Sequence, residues 1–130
     1  MAQSLEGGCF CGEVRYRITG EAVLQLMCFC RDCLSMTGTD GYAGYMIKSE
    51  NLQLLKGKPR TFEKTSKEGR PVIKHFCGTC GSGLWGVTAF GLTSIAAGTL
   101  DEPNNFSPSK KVFAKDAPNW ARVPHHLEDM

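Results

Sequence analysis

Apolar residues recur at alternate positions in short runs, and glycine, proline, asparagine or aspartate separates one run from the next. EVRYRI at 13–18 is the clearest run: Val14, Tyr16 and Ile18 alternate with Glu13, Arg15 and Arg17. A period of two sends one side of an extended strand into a core and the other into water. Further strands are expected at 23–27, 42–47, 52–55, 60–64, 72–76, 82–87 and 93–97. Residues 31–36 read as a short helical turn ended by Gly38. DEPNNFSP at 101–108 reads as a loop, and beyond it Val112, Phe113 and Trp120 are expected to pack against the sheets. The pattern predicts a mainly β fold with little helix. No repeat, low-complexity tract or shift in composition divides the chain, so 1–130 is read as one domain.

Composition narrows the function classes. Hydrophobic residues at 42% and charged residues at 22% suit a globular protein and not a disordered one. A formal charge of +2 offers no basic footprint for nucleic acid. No apolar run approaches the roughly 20 residues that cross a bilayer. The opening MAQSLEGGCFCGE lacks the charged-then-apolar order of a secretory signal. A cytoplasmic protein is the expectation, and in that reducing compartment seven closely spaced cysteines point to metal and away from disulfides.

The cysteines fall into three groups: Cys9 and Cys11; Cys28, Cys30 and Cys33; Cys77 and Cys80. CGTCG at 77–81 has the spacing of a zinc knuckle, whose glycines allow the tight turn that aims amides at the sulfurs. Such a pair supplies half of a tetrahedral site. Cys9 and Cys11, two apart and read as lying on a strand, would face one side and are the natural mates. A site of Cys9, Cys11, Cys77 and Cys80 is closed and therefore structural. Cys28, Cys30 and Cys33 can then share a second metal with no fourth cysteine left. Its fourth ligand could be a histidine (His75, His125 or His126), a carboxylate, water or a substrate atom. His125 and His126 lie in a polar tail expected to be loosely held. Spacing alone also permits Cys9 and Cys11 to share a metal with part of the middle group.

GCFCGEVRY at 8–16, CFCRDC at 28–33 followed by Gly38, and FCGTCG at 76–81 resemble the glutathione-dependent formaldehyde-activating enzyme family, which includes the centromere protein V-like proteins. AAGTLD at 96–101 resembles that family's strand end, and VFAKDAPNWARVP at 112–124 its closing segment. The resemblance implies a β-tent of small antiparallel sheets pinned by a four-cysteine zinc site at Cys9, Cys11, Cys77 and Cys80. It implies a second, catalytic-type and labile zinc at Cys28, Cys30 and Cys33. It also implies carbon–sulfur lyase chemistry on adducts of glutathione with formaldehyde, as in S-hydroxymethylglutathione synthesis. Two positions depart from the family's habit: Phe29 stands where histidine is common, and Lys111 and Val112 stand where the closing segment carries one.

Three thiolates on one zinc make a poor Lewis acid but a good holder of another thiolate, whose pKa falls on binding. The expected partner is a small-molecule thiol such as glutathione. Its carboxylates call for cations, and Arg31, Lys56, Lys58, Arg60, Lys64, Arg70 and Lys74 are available, although a solvated strand face is the ordinary role of such residues. Ser35 and Thr37 are candidate ligand donors or turn caps. Trp85 and Phe90 are candidate pocket walls or core residues. Two other readings compete: a zinc-stabilised binding module without catalysis, and a relative of the methionine sulfoxide reductases. The latter needs a nucleophilic cysteine away from zinc, and all seven are already placed.

Overall fold

Val14, Tyr16 and Ile18, the alternating residues of the clearest run, are all buried, with Tyr16 and Ile18 at 0% exposure. They lie under a second, larger sheet. This computed structural model describes residues 4–65 and 68–130. Strands β1 (Ser4–Gly8), β2 (Arg15–Thr19) and β5 (Leu52–Lys56) form an antiparallel sheet in the order β1-β2-β5. The larger sheet contains β3 (Leu24–Cys28), β4 (Tyr42–Lys48), β6 (Arg60–Thr65), β7 (Pro71–Phe76), β8 (Gly83–Thr88) and β9 (Leu92–Ala96). With β10 (Lys110–Val112) and β11 (Glu128–Asp129) its order is β11-β10-β3-β4-β9-β8-β7-β6. Pairing is antiparallel except where β10 runs parallel to β3 and β11. One short helix, α1 (Arg31–Thr37), follows β3.

The mainly β reading holds, and each expected strand is present within a residue or two of its expected bounds. The helix ends at Gly38, which takes φ 71, a left-handed conformation that glycine adopts without a Cβ penalty. Residues 101–108 form a loop carrying one short 3-10 turn, Pro103–Asn105. Three strands, β1, β10 and β11, lay outside the sequence reading. SLEGG lacks β-branched residues for a packing reason: a Cβ at Gly7 would overlap the Thr99 carbonyl and the Tyr16 hydroxyl. Only glycine lets β1 lie against that ring.

The tail differs from expectation in two respects. Val112 and Phe113 are half-buried as expected, but Trp120 is exposed at 67%. Nor is the tail loose: Leu127 is buried, Lys111 donates to the Leu127 carbonyl at 2.9 Å, and β11 pairs with β10. Asp40, just after α1, accepts from the Arg122 amide at 3.0 Å and from its guanidinium at 2.9 Å. These bonds hold the carboxyl of Asp40 well below the usual range.

Tyr16 and Ile18 of β2 meet Tyr45, Ile47, Trp85 and Ile95 of the large sheet in the core between the two layers. Tyr16 packs edge-on to Trp85, with ring centroids 5.7 Å apart, and its hydroxyl bonds Thr99 at 2.7 Å. Burial pushes the Tyr16 pKa up to about 12. The native state therefore favours the neutral phenol, and that contribution is intact below the unfolded value near 10. It is lost as pH rises through about 12, and a shift of that size corresponds to about 3 kcal/mol. Urea unfolding should show stability falling steeply above about pH 10. Tyr16→Phe should flatten that alkaline limb while losing about 1 kcal/mol at neutral pH with the Thr99 bond. An unchanged alkaline limb in the variant would refute the assignment.

Candidate functional site

Two loops bring the outer cysteine pairs together. Cys9 and Cys11 lie in a turn after β1, closed by the Gly12 amide on the Cys9 carbonyl, and not on the expected strand. Cys77 and Cys80 follow β7, where a register shift between His75 and Phe76 turns the chain toward the knuckle. The four sulfurs lie within 4.8 Å of one another. Cys9 Sγ to Cys11 Sγ and Cys11 Sγ to Cys77 Sγ are each 3.7 Å. A tetrahedron with zinc–sulfur bonds of about 2.3 Å has sulfur–sulfur edges of about 3.8 Å, so the spacing fits that ion. Backbone amides supply the shell around them. Val14 donates to Cys9 Sγ at 3.3 Å, and Thr79 and Cys80 donate to Cys77 Sγ at 3.4 and 3.5 Å.

The middle cysteines form a separate cluster where β3 runs into α1, again with all sulfurs within 4.8 Å. The division in which Cys9 and Cys11 share a metal with this group is thereby excluded. Extended backbone from 28 to 30 turns Cys28 and Cys30 one way and Phe29 the other. Phe29, at 1% exposure, fills the interior beside Gly41. Cys30 is the N-cap of α1, its sulfur accepting from the Cys33 amide at 3.4 Å. Among the described residues no histidine or carboxylate joins the three sulfurs. His75 instead stacks on Trp85 at 5.0 Å and its Nδ1 lies 3.2 Å from the Ile73 carbonyl, while His125 and His126 are exposed.

In both clusters neighbouring thiols shift one another's pKa. Cys28 is pulled down to about 6 by hydrogen bonding from Cys33 and by the Cys30 amide, against the opposing effect of burial. Cys33 is pushed up by its bond to Cys28 and by burial. In the outer cluster the Ser82 hydroxyl and amide bring Cys80 down to about 5. The Glu13 amide acts to lower Cys11, but burial and the bonds to Cys80, Cys9 and Cys77 outweigh it and raise Cys11 to about 12. Thiols packed this closely are groups a divalent cation can deprotonate together. Either set could hold a metal ion.

Beside the middle cluster lies a cavity of about 290 Å³, reached by Cys33, Tyr42, Phe62, Lys74 and Trp85. Tyr42 hydroxyl bonds Ser94 Oγ at 2.8 Å, and burial raises its pKa. Trp85 both belongs to the core and reaches the cavity, whereas Phe90 is exposed beneath the Arg70 guanidinium and walls nothing there. Of the candidate cations, Lys64 pairs with Asp32 at 3.1 Å, tying β6 to α1. Lys56 donates to the Gly12 carbonyl, and the Arg60 stem lies across Gly78. Arg31 borders a separate recess with Cys30, and Lys58 is exposed. Thr37 hydroxyl donates to the Cys33 carbonyl at 3.0 Å, so it caps the helix end, while Ser35 is exposed. Tyr42 and Ser94 were missed in the sequence, where they are ordinary strand residues.

The profile of the glutathione-dependent formaldehyde-activating enzyme family matches residues 4–116. The chain belongs to this family. A Halomonas elongata protein, provisionally named a glutathione-dependent formaldehyde-activating enzyme, is 32% identical over 132 aligned residues. That alignment covers 96% of this chain and 84% of the relative. A Rhodobacter sphaeroides protein of known crystal structure superposes with a TM-score of 0.60 at 17% identity, covering 75% of this chain and 89% of that one. At that identity the likeness concerns the fold alone. Among the described residues no helix is long and apolar enough to cross a membrane.

Proposed function

We propose that the protein is a zinc-dependent carbon–sulfur lyase-like enzyme that makes or breaks adducts of glutathione, or another thiol, with a small aldehyde such as formaldehyde. The whole of 1–130 acts as one cytoplasmic domain in this reading. The observation that carries it is the asymmetry of the two clusters. Four cysteines close one site, while three cysteines beside a cavity leave the other one donor short. Family membership supports the choice of thiol and aldehyde, because the family's name and that of the Halomonas elongata relative specify glutathione and formaldehyde.

Zinc at Cys28, Cys30 and Cys33 would supply a fourth position where a thiol binds as its thiolate near neutral pH. The chain's own residues do the rest. The Cys30 sulfur is fixed by the Cys33 amide, and Lys64 to Asp32 braces the first turn of α1, so the three donors are held before substrate arrives. Phe62, Phe76 and Leu84 give the cavity apolar walls that exclude water from a thiolate and a carbonyl carbon. At about 290 Å³ the cavity lies at the low end of the range for ligand pockets, about 300–1,000 Å³. It suits the reacting end of a peptide thiol, with the remainder outside.

Protein purified without oxygen should contain two zinc ions per chain, and a mild chelator should remove the second first. The two-zinc form should accelerate S-hydroxymethylglutathione formation or breakdown above the uncatalysed reaction. The one-zinc form should not. Equal rates with and without the labile metal would overturn the enzymatic reading and leave a zinc-stabilised binding module.

A further inference from the structure

Lys74 sits in the cavity wall beside Cys33, and three features hold its side chain there. On β7 it faces Phe62 of β6 on one side and Gly86 of β8 on the other. Gly86 is buried and bare: a Cβ there would stand 3.3 Å from both Cδ and Nζ of Lys74. The lysine therefore lies flat across the neighbouring strand instead of extending into solvent. Its ammonium ends 5.2 Å from the ring centre of Tyr42, a cation–π contact. Tyr42 is itself held by its bond to Ser94.

Held this firmly, the ammonium has no carboxylate partner among the described residues. Asp32, on the helix that carries Cys33, pairs with Lys64, and Asp40, two residues before Tyr42, pairs with Arg122. Among the described residues no carboxylate lies within ion-pair distance of Lys74. Burial of its charge is unfavourable, and the thiols of Cys33, Cys28 and Cys30 are what favours it. A half-buried, unpaired cation that opens on a cavity can be satisfied by what enters the cavity.

We propose that Lys74, laid across Gly86 beside Cys33, is the subsite that binds the oxygen of the small carbonyl compound, and of the hydroxyl it becomes. This rests on the reading of the Cys28–Cys30–Cys33 cluster as the thiol-binding site. In a hemithioacetal the oxygen sits on the carbon bonded to sulfur, so it must stay close to the cluster, whereas the carboxylates of a peptide thiol lie many bonds away. In the forward direction the thiol proton leaves to solvent and a sulfur electron pair forms the S–C bond. The π pair of the C=O bond moves to oxygen, which takes a proton from water. Lys74 remains an ammonium throughout and donates a hydrogen bond to the oxygen as charge builds on it. The reverse reaction uses the same bond.

Cobalt-substituted protein reports thiol binding by its thiolate charge-transfer bands, independently of turnover. The wild-type protein should bind mercaptoacetate, which carries oxygens near its sulfur, about tenfold tighter than ethanethiol. Lys74→Gln should erase that preference, leave ethanethiol affinity within about threefold, and lower the rate on the zinc enzyme by about 100-fold, as loss of one oxyanion donor does. Gly86→Ala keeps the charge but displaces it by a few tenths of an ångström, and should cost about tenfold in both readouts. Cobalt loss from Lys74→Gln, or equal weakening of both thiols, would show that Lys74 merely neutralises the cluster. An unchanged preference in both variants would overturn the subsite as well. Wild-type protein that discriminates between the probes but turns over no adduct would leave the subsite standing and sink the enzymatic reading instead.

Discussion

Cys77→Ser is expected to leave a chain with no cooperative thermal transition and without the zinc proposed for the four-cysteine site. Cys77 is 1% exposed, lies 3.7 Å from Cys11 and accepts the Thr79 and Cys80 amides. Its partners Cys9 and Cys11 come from the other end of the chain, so the cluster joins the β1–β2 layer to the β7–β8 end of the large sheet. Structural zinc contributes about 10–16 kcal/mol of apparent binding free energy, which is comparable to the whole net stability of a small domain, about 5–15 kcal/mol. A serine hydroxyl retains the size of the thiol but not its affinity for zinc, and the other three thiols would then crowd one another around nothing. Far-UV circular dichroism with metal analysis tests this. A variant melting within about 5 °C of the parent, with its zinc intact, would refute the assignment of the four-cysteine site.

The elements that local patterning revealed are those whose burial is decided by their own two neighbours. EVRYRI alternates because one face meets the core, and the register between β2 and its partners follows from it. The strands that patterning missed depend on distant contacts. SLEGG becomes β1 because Gly7 fits under Tyr16 and Thr99, both far along the chain from it or held by residues that are. Lys110–Val112 becomes β10 because β3 offers it a parallel edge. Such pairings have no period to detect. Trp120 was misread for the complementary reason: an aromatic in a tail looks like an anchor, yet the anchoring there is done by Leu127, Lys111 and the Asp40 pair with Arg122.

The cysteine clusters were legible because their members come as close pairs and triplets, and spacing within each group already indicates which sulfurs could share an ion. Which groups join follows from the packing of the small sheet on the large one, which brings the knuckle after β7 to the loop after β1. The cavity was not legible. Tyr42, Gly86, Ser94 and Lys74 come from four strands, and only cross-strand neighbours, Ser94 to Gly86 and Gly86 to Lys74, place them side by side. Lys74 resembled six other cations in the sequence; a bare glycine on the next strand is what distinguishes it. Phe29, the departure from the family's usual histidine, proves to face inward and away from the sulfurs, so that change alters the packing behind the cluster and not its donors.

Cys30→Ser should give the opposite phenotype to Cys77→Ser: a folded protein that has lost the proposed labile metal and the proposed catalysis. Cys30 is the N-cap of α1, with backbone in the extended region and a sulfur accepting from the Cys33 amide. Serine is among the best N-caps, so the helix keeps its first turn and gains about as much from the hydroxyl as it loses with the thiol. The proposed second zinc, however, drops from three thiolates to two. Metal content should fall from two to one per chain, the melting temperature should move by only a few degrees, and rate acceleration should vanish, a loss of at least about 100-fold. Cobalt titration of the variant should show no new thiolate band when ethanethiol is added. Unfolding of Cys30→Ser would mean that both clusters are structural, and the division of labour between them would fall. Full activity in a folded one-zinc variant would place the chemistry elsewhere in the chain.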